Sequence, residues 1–238
     1  MHVTNENPGG SMGAMTIWTM LRALWRSTVG KKALVAASGL ALCLWVILHV
    51  AGNFTVFSGA AAADGYAASL RHVPAALWAV RIGLVVAAVV HVAGVVSLTR
   101  ADRAARPRHQ ACGPRASFWM EGWAARSMRV GGVLLLAFVI FHVLHLTFGV
   151  RLPGFLPGHV YANVVQGLHS PVMASVYIGA ALLLGLHLFH GLWAAMRSLG
   201  VWPDGATRHR RPAVAALSAA VALGFASVPL AVLAGWLR

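Results

Sequence analysis

The chain has 238 residues, 59% hydrophobic and only 10% charged, and its 19 Lys and Arg against 5 Asp and Glu give a formal net charge of +14. The apolar residues are gathered into blocks long enough to cross a bilayer, which excludes an ordinary water-soluble fold. The basic residues sit in short connections and at block ends, so they read as determinants of membrane orientation, with no basic domain that would grip a nucleic acid.

Through about Ala14 the chain is polar and reads as a disordered tail, with Met12 or Met15 as candidate starts. Segment 18–27 interleaves Trp18, Leu21, Leu24 and Trp25 with Arg22 and Arg26, the pattern of a short amphipathic helix lying on the membrane surface. Residues 1–30 thus form a tail and interfacial helix, and residues 31–238 an all-α transmembrane domain of five helices. A spanning helix needs about 20 apolar residues, and the expected spans are 33–57, 76–99, 129–150, 171–196 and 212–236. The first is longer than the apolar core of a cleaved signal peptide and holds Trp45 and His49 in its interior. The connection 58–74 is expected to carry a short helix, and 152–170, with Pro153, Gly154, Pro157 and Gly158, to be a fixed irregular segment. No connection is long enough for an extramembranous domain.

Orientation follows from the basic residues. Arg22, Arg26, Lys31 and Lys32 precede the first span; Arg100, Arg103, Arg106, Arg108, Arg115, Arg126 and Arg129 lie between the second and third; Arg197, Arg208, Arg210 and Arg211 lie between the fourth and fifth. The other two connections hold only Arg71 and Arg151. The N-terminus is therefore expected in the cytoplasm and the C-terminus outside. Cys43 and Cys112 have no metal-ligand spacing and read as structural. Glu6, Asp64, Asp102, Glu121 and Asp204 all lie outside the spans, which argues against a pump or cation channel built on buried carboxylates.

Six of the 12 histidines fall inside apolar spans: His49, His91, His142, His145, His187 and His190. An ionisable residue at bilayer depth is costly unless it faces the bundle interior with a partner. For any one of them, a hydrogen bond to a helix backbone is a sufficient account. The constellation says more. Helices one to four each carry a histidine, the spacing from His49 to His91 resembles that from His142 to His187, and Val46-Ile47-Leu48-His49-Val50 echoes Val139-Ile140-Phe141-His142-Val143. Counting rise along the helices puts His49 and His142 toward the outer side and His91 and His187 toward the inner side. Haem iron takes neutral imidazole as an axial ligand, and helix pairs can present two imidazoles to opposite faces of one porphyrin, so two stacked bis-histidine haems b fit and the first four helices are expected to form a haem-binding bundle. His145 and His190, three residues after proposed ligands, could exchange roles with them, touch a propionate or quinone, or line the bundle. His169 is a further candidate for a propionate or quinone contact. Gly52, Gly94 and Gly191 could let a flat macrocycle approach the backbone or could serve helix packing.

At LeuHisValAlaGlyAsnPhe (48–54), ValValHisValAlaGly (89–94), PheHisValLeuHisLeuThrPheGly (141–149) and HisLeuPheHisGlyLeuTrp (187–193), the sequence resembles the dihaem cytochrome b anchor subunit of succinate dehydrogenase and fumarate reductase. The resemblance runs from about Ser27 to the end of the chain. It implies haem ligation by His49, His91, His142 and His187 in the pairs given above. It further implies a flavoprotein and an iron–sulfur subunit on the cytoplasmic face of a bacterial inner membrane, menaquinone as electron partner, and an oligomeric state left open. Some relatives carry a glutamate two residues before the helix-four ligand, proposed for proton transfer, where this chain has Gly185; a second family glutamate near the outer quinone site has only Asp64 as a poor counterpart. Two other readings fit the same residues: a cytochrome b of a formate dehydrogenase or hydrogenase, and a haem-free transport or assembly protein. Partner subunits separate the first and haem content the second.

Overall fold

The computed structural model describes residues 17–105, 115–200 and 207–238. The tail through Ala14, and Cys112 with Arg106 and Arg108, lie outside the described residues. Eight α-helices follow in order: α1 (Ile17–Arg26), α2 (Thr28–Asn53), α3 (Ala60–Arg71), α4 (Pro74–Ala105), α5 (Arg115–His142), α6 (Val160–Leu168), α7 (Pro171–Ser198) and α8 (Thr207–Leu233). A 3-10 turn (Phe54–Ser58) extends α2 and a π turn (Val143–Thr147) ends α5; among the described residues there is no strand.

Among the described residues five stretches are long and apolar enough to cross a membrane: Thr28–Ser58, Pro74–Ala105, Ser127–Thr147, Pro171–Ser198 and Arg211–Leu233. The second runs six residues past the expected end at 99, because Arg100, Asp102 and Arg103 continue the helix as a polar extension. α1 is the expected amphipathic helix, with Met20, Leu24 and Trp25 exposed. It gives way to α2 at Ser27, whose hydroxyl accepts the Gly30 N–H at 2.9 Å and so satisfies one of the free donors of the new helix.

Successive spans are antiparallel, and packing is uneven. α2 packs on α4, α7 and α8; α7 packs on α5 and α8; neither α2 with α5 nor α4 with α7 packs closely among the described residues. Lipid tails are as apolar as the side chains, so helices associate here by close fit of small residues. At Gly185 in α7 an added Cβ would lie 2.8 Å from Ala222 Cβ and 3.3 Å from the Ser218 carbonyl of α8. Cys43, Leu188, Leu192, Val214 and Val221 form the core where α2, α7 and α8 meet.

One end of the bundle is capped by α3 and α6, joined through Val56, Ala63, Leu168, Val228 and Val232. The segment 152–170, expected to be irregular, contains α6. Its helix is too short to register as a span and is stabilised by tertiary contacts: Tyr161, Val164 and Val165 pack against that core, and Asp64 Oδ1 accepts the Tyr161 N–H at 2.9 Å. A carboxylate there complements the positive end of α6. The expected short helix in 58–74 is α3. Before α6 the chain is held by Asn163, which accepts the Leu156 N–H at 3.0 Å and donates to the Leu156 carbonyl at 2.7 Å.

Candidate functional site

Four helices bring four imidazoles together as two cross-helix pairs. His49 on α2 and His142 at the last residue of α5 have ring centres 5.9 Å apart with planes inclined at 76°. His91 on α4 and His187 on α7 have ring centres 6.4 Å apart at 65°. These are the pairs expected from depth, and each bridges helices that do not pack on one another. His91 lies against Val35, Ser38 and Gly39 of α2. His49 is 10 to 14 residues further along the same helix, so the pairs are about 15–21 Å apart along the axis at a rise of 1.5 Å per residue.

The pairs are held differently. His91 Nδ1–H donates to the Val35 carbonyl at 3.1 Å, which leaves Nε2 as the acceptor nitrogen. The ring passes so near α2 that a Cβ on Gly39 would lie 3.0 Å from His91 Cε1. Across from it, Gly132 of α5 faces His187 Cε1 at 3.7 Å from where its Cβ would be. His49 is stacked against Trp45, with ring centres 6.0 Å apart, and packs on Phe225 of α8 at 5.6 Å. His142 stacks on Phe138 at 5.9 Å and meets the edge of Tyr177 at 5.9 Å.

The remaining candidates separate from the pairs. His145 is buried in the π turn, its Nδ1 sharing a 3.0 Å hydrogen bond with the Tyr177 hydroxyl and its ring stacked on Phe141. His190 is half-buried and edge-on to Phe189 at 5.3 Å. His169 is exposed just after α6, in an open cleft of about 620 Å³ lined also by Pro153, Tyr161, Gln166 and Arg238. Gly52 and Gly94 face protein, the first against the Tyr66 ring and the second against Val35, which gives both a packing role; Gly191 has only Met128 within reach, at 4.0 Å.

Whether these residues suit a haem can be tested on their chemistry. Two imidazoles on opposite sides of one metal ion, each bonded at about 2 Å, place their ring centres about 6 Å apart; both pairs match. The backbone hydrogen bond that would account for a histidine in a membrane helix is present for His91, and a side-chain bond serves His145. At His142 and His187, by contrast, Nδ1 is buried with no hydrogen-bond partner. An uncompensated buried polar atom costs about 1–3 kcal/mol, so hydrogen bonding within the protein does not explain these two residues. The donor set fits.

Sequence reasoning missed Tyr177, the π turn and Phe225. A signal existed for Tyr177: it is one of only three tyrosines, it lies within an apolar span, and a phenol there requires a partner. Gly185 is buried against α8 with no space for a longer side chain. Comparison of the chain with protein-family models, with curated proteins and with solved structures gives no match.

Proposed function

We propose that this chain is the membrane-anchor cytochrome b subunit of a succinate dehydrogenase or fumarate reductase. In this reading it holds two haems b, one between His49 and His142 and one between His91 and His187, and passes electrons between an iron–sulfur subunit and menaquinone. The observation that carries the reading is the pair of cross-helix imidazole couples, at ring separations of 5.9 and 6.4 Å, each spanning two helices that do not pack together. The four local motifs support the choice of family, and the basic residues at the α1 end support a cytoplasmic location for that end.

A haem held by these imidazoles would supply reversible one-electron transfer. The chain's residues orient and shield the ligands. The Val35 carbonyl fixes the His91 tautomer, as an acceptor behind the ring does for a metal-bound histidine. Trp45 and Phe225 confine His49, and Phe138 and Tyr177 confine His142. The apolar spans surround all four imidazoles with hydrocarbon side chains. His169 and the cleft beside it, at the end that the orientation places outside, lie where a quinone or propionate contact is expected.

The test is haem per polypeptide and the dithionite-reduced minus air-oxidised spectrum of the purified chain, followed by reduction of the native complex with succinate. Two b-type haems, falling to one in either His49→Ala or His187→Ala and reduced by succinate, are expected. A folded chain without haem from haem-replete membranes refutes electron transfer; haem reduced by formate or hydrogen and not by succinate refutes the choice of partner.

A further inference from the structure

His142 and His145 are both within reach of the space between α5 and its neighbours, and three-residue spacing alone would leave either free to face His49. The geometry breaks the tie at Tyr177. Its hydroxyl is bonded to His145 Nδ1 at 3.0 Å, and the edge of its ring lies against His142 with centres 5.9 Å apart. Phe138 closes the cluster, perpendicular to Tyr177 at 5.1 Å and stacked on His142. The π turn places His145 on this side: Phe148 N–H bonds to the Val143 carbonyl at 3.2 Å, widening the last turn, and His145 points at α6, where a Cβ on Gly167 would lie 3.2 Å from its Cε1. Single π turns inside α-helices are frequent at functional sites.

The contrast with the other pair gives Tyr177 its purpose. His91 is anchored by a backbone carbonyl. Among the described residues His142 has no hydrogen bond at Nδ1, and its ring is flanked instead by Phe138 and Tyr177. We propose that Tyr177 is a positioning residue: by engaging His145 it withholds that histidine from the outer pair, and with its own ring held by the same bond it sets the plane of His142. The proposal rests on the haem-binding reading and adds to it a residue beside the outer pair. Without the hydroxyl, His145 would be left with an unsatisfied buried nitrogen, and both side chains would lose the contact that holds them.

The experiment compares Tyr177→Phe, His145→Ala and the double variant, each as the purified full chain, by haem content and by electron paramagnetic resonance of the oxidised protein. That signal depends on the angle between the two axial imidazoles. Expected are two haems in every variant, an unshifted signal from the inner haem, and a shifted outer signal in all three, with the double variant matching His145→Ala because the hydroxyl acts through that histidine. An outer signal unchanged in Tyr177→Phe, or shifts that add in the double variant, overturns the positioning role. Loss of one haem in His145→Ala, with both retained in His142→Ala, overturns it by making His145 the ligand. Absence of haem from the wild-type chain is separate, since it refutes the underlying reading before any variant is compared.

Discussion

Replacing Gly39 with valine should weaken binding of the inner haem and spare the outer one. The glycine faces the ring of His91: an added Cβ would lie 3.0 Å from Cε1 and 3.3 Å from Nδ1, and the two methyl groups of valine would reach further still. The ring must retreat from α2, and in doing so it leaves the Val35 carbonyl to which it donates at 3.1 Å. Overpacking of this kind costs about 1–3 kcal/mol, and the lost hydrogen bond about 0.5–1.5 kcal/mol more. The gain in helix propensity on replacing glycine is a few tenths of a kcal/mol and does not offset this. A displacement worth about 2–4 kcal/mol weakens the inner haem's binding about 30- to 1,000-fold. The assay is haem titration of the haem-depleted protein in detergent, with haem counted per polypeptide. One tight and one weak equivalent are expected, with the bound haem showing the outer spectrum. Two tight equivalents with the wild-type spectrum would refute the assignment of His91 as a ligand positioned by α2.

Gly185→Glu should destabilise the chain by several kcal/mol, because its Cβ would lie 2.8 Å from Ala222 Cβ and the carboxyl group would enter a tight, apolar helix contact; thermal unfolding in detergent measures it, and a melting temperature equal to wild type would contradict the packing of α7 on α8. Asp64→Ala removes the acceptor of the Tyr161 N–H and the charge at the start of α6, at a cost of about 1–2 kcal/mol. It should appear as faster proteolysis of the 151–159 segment, with Asp64→Asn intermediate because it retains the acceptor. Reporter fusions after Arg238 should be active only outside the cytoplasm, and activity inside would reverse the assigned orientation.

The segmentation into five spans and the amphipathic α1 follow from composition along the chain, because the length of an apolar block and the placement of charge are themselves the physical requirements for crossing or lying on a bilayer. The pairing of His49 with His142 and of His91 with His187 was legible too, since a helix converts residue number into depth. Tertiary structure alone decided what depends on contacts between segments distant in sequence. α6 is a helix because Asp64, 97 residues before Tyr161, caps it and α3 covers it. His91 is oriented by a carbonyl 56 residues away, and His145 is held aside by Tyr177, 32 residues further along. Sequence determines which side chains reach a given level in the membrane; which of two neighbouring histidines faces a partner depends on the local widening of a helix and on a single hydroxyl, and those are set only when the helices pack.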